Sequence, residues 1–269
     1  MALGFTAEAL ATPARGSGAL RMGLSRLGEG DWLWPSFDAG ARAQVFAASP
    51  ESVAILPGAE TAAAEAAALV SGGRHDTLAG AAAAGWEDLC VLQPDEQGQY
   101  RLTAAAVGFP TDWDLGEKMG RGLTAIHAPI HGYAEQLASG VDHFFANLPV
   151  GQIFGRSNWF VAPTDLWRYL PQDDPALRFA HVHADNAGET LFLRCERQTL
   201  RRLPGSGAVL FTIGIAISPF HALSAELVAR IADNLAALRS GEHERRAAPH
   251  YTGVLAAYAA RRMDLEIQA

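Results

Sequence analysis

The chain has 269 residues, 49% of them hydrophobic, with 21 Lys and Arg against 29 Asp and Glu, a formal net charge of −8. That length is enough to bury a core as one large domain or two small ones. The acidic balance argues against general nucleic-acid binding, which needs excess positive charge to neutralise phosphates, and no apolar run is long enough to span a bilayer.

The N-terminus (Met1-Ala-Leu-Gly-Phe5) lacks a charged region followed by an apolar core, so no secretory signal is read and a cytoplasmic protein is expected. Two cysteines, Cys90 and Cys195, have no metal-ligand spacing and read as reduced and structural.

Residues 1–49 are rich in Gly and Pro and read as an arm. Gly30-Asp31-Trp32-Leu33-Trp34-Pro35 would anchor it to the body by aromatic packing, or else present a partner surface. Val53 to Leu56 reads as a strand, and the Ala-rich stretch Ala59 to Val70 as a helix closed by Ser71-Gly72-Gly73. A second Ala-rich helix follows from Leu78 to Ala84. Glu87 to Val91 and Tyr100 to Val107 read as a β-hairpin across the turn residues Asp95-Glu96-Gln97-Gly98.

From Tyr133 the pattern turns helical. Tyr133, Leu137, Val141, Phe144, Phe145 and Leu148 share one face, and Pro149 and Gly151 stop the helix. His143 falls on the opposite, solvent face. Ile153 to Val161, Arg178 to Ala184, Thr190 to Leu200 and Ala208 to Ile217 read as successive strands of an antiparallel sheet. Leu227, Ile231, Leu235 and Leu238 stripe a helix, residues 241–250 read as a charged loop, and Val254 to Met263 as a last helix. The sum is an α+β fold: an antiparallel sheet with flanking helices, a body over 50–240, an N-terminal extension over 1–49 and a C-terminal helical extension over 241–269.

The densest chemical signal is Leu193 to Pro204, where Arg194, Arg197, Arg201 and Arg202 sit within nine residues. With Arg156 they are candidates for binding carboxylate or phosphate, although the simpler reading of the residues alone is pairing with this chain's own carboxylates, such as Asp142 or Glu196. Gly205-Ser206-Gly207 reads as a turn between strands rather than a nucleotide loop. No phosphate loop, serine elbow, zincin helix or Cys-x-x-Cys pair is present.

His127 precedes Ala128-Pro129 and is expected at a rigid strand-to-helix corner. A neutral imidazole there can ligate a metal or haem iron if its other nitrogen is fixed by a hydrogen bond, or it can be an ordinary buried histidine. His131 could share its face. His181 and His183 alternate on one expected strand, but no third ligand accompanies them.

Three blocks together resemble the haem-binding alpha subunit of haem-dependent oxidative N-demethylase and its relatives. They are Gly120-Arg-Gly-Leu-Thr-Ala-Ile-His127-Ala-Pro-Ile-His-Gly-Tyr133 with Val141-Asp-His-Phe-Phe145, then Gly155-Arg156-Ser-Asn-Trp159, then Leu193 to Pro204 running on to Thr212. Phe109-Pro110-x-x-Trp113 and Glu117-Lys118-x-Gly120 also fit, so the resemblance covers roughly 86 to 220.

The resemblance implies a PAS-like sheet cradling haem b, and oxidative removal of a methyl group from a small secondary amine with O₂, releasing formaldehyde. It implies electrons from a partner reductase carrying flavin and an iron–sulfur centre, with a folate-binding subunit nearby. Self-association into a homo-oligomer is also compatible with the sequence.

By position, His127 is the implied proximal iron ligand, Arg156, Arg194, Arg197 and Arg201 the implied partners of the haem carboxylates, and Trp159 a pocket aromatic. Where the family has Pro-Val-Pro this chain has Pro129-Ile130-His131, which makes His131 the alternative ligand. Strand alternation sets Arg194 opposite to Arg197 and Arg201, and the latter two are expected to face the pocket. Competing readings are a haem-PAS sensor without turnover, a different haem-dependent oxidation of a nitrogen compound, and a haem-free metal enzyme using His181 and His183.

Overall fold

The computed structural model describes residues 3–11, 20–34, 39–170, 174–238 and 240–268. Seven strands form one antiparallel sheet: β1 (Ser25–Leu27), β2 (Val53–Ile55), β3 (Glu87–Pro94), β4 (Tyr100–Ala106), β5 (Ile153–Ala162), β6 (Phe192–Arg202) and β7 (Val209–Pro219). Their order is β1-β5-β6-β7-β3-β4-β2. The short strands β1 and β2 therefore guard the two edges, which limits edge-to-edge pairing with other chains.

The helices in chain order are α1 (Ala7–Leu10), α2 (Ala39–Ala48), α3 (Glu60–Ser71), α4 (Leu78–Ala83), α5 (Leu123–Ile126), α6 (Tyr133–Gln136), α7 (Ala138–Asn147), α8 (Pro175–Phe179), α9 (Ala187–Thr190), α10 (Ala225–Ala236), α11 (Ser240–Arg245) and α12 (Thr252–Gln268).

The β3–β4 hairpin forms where turn chemistry requires it. The Asp95 carboxylate accepts from the backbone N–H groups of Gln97 and Gln99, and Gly98 supplies the positive φ of +79°. At the β6–β7 turn the Glu65 carboxylate accepts from the N–H groups of Gly205 and Ser206, at 2.6 and 2.8 Å.

The sheet sorts its side chains by alternation. On one face Leu89, Val91, Ala104, Ala106 and Leu210 pack with alanines of α3 and α4, whose small side chains let the helices approach closely. Farther along that face, Trp159, Val161, Leu193 and Cys195 share a core with Leu227, Ile231 and Leu235 of α10 and Leu255 of α12. Each fully buried Leu or Ile of that stripe contributes about 1.5–3 kcal/mol. Residues of α1 also enter this core, among them the fully buried Leu10. Both cysteines are free and buried. The other face carries the α5–α7 segment and the loop that follows β4.

Three expectations are corrected. Arg178 to Ala184 is not a strand: Pro175 occupies the first turn of α8 and the Asp174 carboxylate caps it by accepting from the Ala176 N–H. His181 and His183 are exposed residues of the turn after α8. The helix expected from Tyr133 to Leu148 is broken into α6 and α7 at Leu137, whose φ of −121° leaves the helical range. Its apolar face survives the break, because Tyr133, Val141, Phe145 and Leu148 still enter one core. Residues 241–250 are helical in part, through α11 and a 3₁₀ turn over Ala248–His250.

Candidate functional site

A cavity of about 420 Å³ lies between the α5–α7 segment and the sheet. Its floor is built by alternation: Arg156, Asn158 and Phe160 of β5 and Glu196, Gln198 and Leu200 of β6, with Cys90, Phe211 and Ile213 beside them. Residues two apart on a strand point the same way, so three even-numbered positions from each of two neighbouring strands meet on one surface. Register sets Arg156 against Gln198 and Asn158 against Glu196.

His127 stands in the helical wall. It caps the C-terminus of α5, with φ −97° and ψ 8°. The expected strand-to-helix corner is thus a helix end, and the restriction imposed by Pro129 falls on Ala128. The ring Nδ1 lies 2.8 Å from the carbonyl oxygen of Leu123, one helical turn back. A carbonyl only accepts, so Nδ1 carries the proton and Nε2 keeps its lone pair. Burial pushes the imidazole below its ordinary pKa, and the positive charges of Arg156 and Lys118 push the same way against the Leu123 hydrogen bond. The neutral form is therefore favoured. Tyr133 stacks on the ring at 4.5 Å between centroids and 15° between planes. Lys118 donates to the Ile126 carbonyl at 3.1 Å and ties down the end of α5.

Two buried polar groups around the cavity have no hydrogen-bond partner among the described residues: the Tyr133 hydroxyl and Nε of Arg156. Burial, with the negative charge of Asp142, pushes the Tyr133 phenol up to about 12, so it stays a donor. Arg156 makes one hydrogen bond, from Nη1 to the Met22 carbonyl at 3.1 Å. Unsatisfied buried polar atoms are uncommon and call for an explanation. At the rim stand Arg21, Glu242, Arg245 and Arg246. Glu242 accepts from Arg245 at 2.7 Å and from Arg246 at 3.5 Å, and Arg246 also donates to the Trp159 carbonyl at 2.8 Å.

The structure brings together only part of the residues singled out from sequence. His127 and Arg156 line the cavity. Trp159 points to the opposite side of the sheet and joins the core under α10. Arg194 shares the cavity face of β6, yet its guanidinium is consumed: Nε donates to Thr111 Oγ1, Nη1 to Leu166 O, and Nη2 to the carbonyls of Phe109, Pro110 and Trp167. It fastens the loop after β4 to the loop after β5.

Arg197 and Arg201 face away from the cavity, and the expectation that they point into it is overturned. Arg197 donates to the backbone carbonyls of Trp32 and Asp31 and lies over Phe5. Arg201 forms a two-pronged pair with Glu29, at 2.7 and 2.9 Å, over the Trp32 ring. Arg202 is held by Tyr100 Oη and the Gly207 carbonyl. The arginine stretch thus has internal partners, chiefly backbone carbonyls. His131 is exposed and not a cavity residue; its ring is next to Gly241. Among the described residues, no group of three His, Cys, Asp or Glu side chains could hold a metal ion by itself.

A model of the family described as haem-dependent oxidative N-demethylase, alpha subunit-like, matches residues 61–255, more than half of the chain. The chain belongs to that family. No curated protein matches it at a significant level. The family description names an oxidoreductase that depends on haem and a subunit of a larger enzyme. The matched residues include His127, Arg156, Glu196 and the rim arginines Arg245 and Arg246. No helix among the described residues is long and apolar enough to cross a membrane.

The residues present fit a haem. The candidate donor is a half-buried imidazole with its second nitrogen already engaged, which is the arrangement that metal-bound histidines favour. The surrounding cavity is mostly apolar, with a volume inside the roughly 300–1,000 Å³ common for cofactor and ligand sites. Cationic Arg21, Arg156, Arg245 and Arg246 border it, and arginine is the usual partner of carboxylates.

Sequence reading missed Tyr133, Asn158, Glu196, Arg245 and Arg246 as cavity residues. A signal existed for Glu196: Arg194, Glu196 and Gln198 put three polar residues on one face of the strand. A polar face on an internal strand needs something polar to meet.

Proposed function

We propose that this chain binds a b-type haem in the cavity through Nε2 of His127, and that it removes a methyl group oxidatively from a small secondary amine using O₂, releasing formaldehyde. The observation that carries this reading is the His127 ring itself, with Nδ1 donating to its own helix, Nε2 free, and a mostly apolar cavity beside it. When bound, the haem supplies the oxygen chemistry. The chain orients the ligand ring, keeps it neutral by burial, and offers Arg156 and the rim arginines to the haem carboxylates. The strand order supports a PAS-like sheet: β5-β6-β7-β3-β4 run side by side, with the helical wall inserted between β4 and β5.

Electrons come from elsewhere. Two cysteines cannot supply the four that an iron–sulfur cluster ordinarily takes. The subunit designation in the family description supports partner chains; these would be a flavin and iron–sulfur reductase and a folate-binding subunit that receives formaldehyde.

The test is the absorption spectrum of the protein expressed with ample haem. A Soret band is expected in the wild type and in His131→Ala, and its loss in His127→Ala. A wild type without the band overturns haem binding, and loss in His131→Ala alone overturns the ligand assignment. Formaldehyde released from dimethylamine with a reductase supplied tests the reaction.

A further inference from the structure

The bond from His127 Nδ1 to the Leu123 carbonyl oxygen fixes one corner of the ring and leaves its plane undetermined. The terminal torsion of a histidine is broad, so a ring held at one corner still rocks about that contact, and Nε2, on its far side, sweeps with it. A histidine that has to present Nε2 in one direction needs a second contact, on its face.

Tyr133 makes that contact. Its ring lies 4.5 Å from the imidazole, centroid to centroid, with 15° between the planes. The chain is bent to bring it there. The Ile130 N–H donates to the His127 carbonyl at 2.8 Å, and the Tyr133 N–H donates to the Ile130 carbonyl at 3.1 Å, so successive tight turns return the chain to the imidazole. Pro129 fixes its own φ inside the first turn. Gly132 takes φ +80° just before α6, a value that residues with a Cβ rarely adopt, and a Cβ there would lie 2.5 Å from Gln136 Nε2.

Tyr133 is itself held in place. It is 4% exposed and shares one core with Val141, Phe145 and Leu148. Its hydroxyl has no hydrogen-bond partner among the described residues, so the polar end of the side chain does not account for its placement.

We propose that Tyr133 is a positioning residue for His127: its ring, rather than its hydroxyl, holds the imidazole plane, so that Nδ1 stays on Leu123 and Nε2 keeps one direction. The Leu123 carbonyl chooses the tautomer and Tyr133 fixes the plane. The inference rests on the haem reading above for the use of that nitrogen, whereas the positioning itself needs only the two rings.

The test follows isotope-labelled histidine by NMR in the haem-free full chain, and the ferric haem-loaded protein by electron paramagnetic resonance. In the wild type the His127 ring protons are expected upfield of those of an ordinary histidine, because they lie over the Tyr133 ring, and the ring is expected in the single Nδ1-protonated tautomer. Tyr133→Phe should keep both signatures. Tyr133→Leu should lose the upfield shift and lower the ratio of Leu123-bonded to unbonded ring by about two- to tenfold. It should also broaden the ferric resonance, since the ligand plane then takes a range of orientations about the iron. Circular dichroism should be the same in all three proteins.

Wild-type ring protons at ordinary positions overturn the proposal without any variant. So does a folded Tyr133→Leu that keeps the wild-type tautomer and resonance. A Tyr133→Phe that loses them overturns it too, by assigning the effect to the hydroxyl. If Tyr133→Leu does not fold, the wild-type shift and Tyr133→Phe decide. A single tautomer with upfield ring protons but no Soret band removes the haem reading and leaves this role standing, whereas a Soret band with unshifted His127 protons does the reverse.

Discussion

Arg194 and Arg156 project from neighbouring strands onto the same face of the sheet, and they live differently. Arg194 donates five hydrogen bonds to loop groups. Arg156 donates one and keeps a buried Nε without a partner. The contrast extends along β6: Arg201 and Arg202 are held by Glu29, Tyr100 and backbone carbonyls, while Glu196 between Arg194 and Arg197 holds only Gln198. A charged group with all its hydrogen bonds internally satisfied is part of the scaffold. Arg156 keeps a donor at the cavity that no described residue uses.

Breaking that contrast at its most exposed point gives the largest effect. His127→Ala should abolish the Soret band while leaving the far-ultraviolet circular dichroism intact, since the ring's hydrogen bond is confined to its own helix. Next, Arg194→Leu should cost about 3–5 kcal/mol in chemical denaturation, because it leaves four carbonyls and a hydroxyl short of a donor in a buried site.

Glu87, on the scaffold face, comes third. Desolvation raises its carboxyl to about 7, against opposing help from the Trp34 N–H and the charges of Arg197 and Arg42. Below an ordinary pKa of 4.5 the group is protonated both folded and unfolded and contributes nothing. As pH rises from 4.5 to 7 the unfolded chain releases its proton first, so stability falls, and above 7 the full penalty is present. Glu87→Gln should flatten that slope and stabilise the protein by about 1–3 kcal/mol at pH 8; an unaltered slope would assign the pH dependence to another group.

Arg156→Leu sharpens the comparison from the other side. It should change stability by less than about 1 kcal/mol, since one hydrogen bond and a costly buried charge leave together, while weakening retention of haem in a transfer assay to apomyoglobin. Arg201→Ala should be the mildest, at about 1 kcal/mol or less, because Glu29 of the pair is 66% exposed.

The fold was legible wherever period and turn chemistry spoke together. Asp95 to Gly98 marked the hairpin, and Leu227, Ile231 and Leu235 marked α10, because each pattern is local and complete within a few residues. Arg178 to Ala184 misled because its alternation is fortuitous, and the Asp174-Pro175 start signal just before it carried more weight. The α6–α7 break was hidden because the apolar stripe continues through Leu137 while the backbone does not.

His127 and Arg156, which motif resemblance singled out, both line the cavity. The roles of Arg194, Arg197 and Arg201 were not, since their partners are backbone carbonyls far away in sequence, and a carbonyl leaves no trace in residue type. Glu196 was visible as a charge, but its lack of an ion-pair partner is a property of three-dimensional space alone.

The bond between the His127 ring and Leu123 carries one more consequence. The ring's orienting acceptor is a main-chain oxygen four residues earlier, so every amino acid at position 123 supplies it, and evolution cannot lose it by altering a neighbour's side chain. The aim of the imidazole is written into the helix geometry of α5. Engineers wishing to retune that nitrogen would have to work through the chain path or through Tyr133, whose ring is stacked on it.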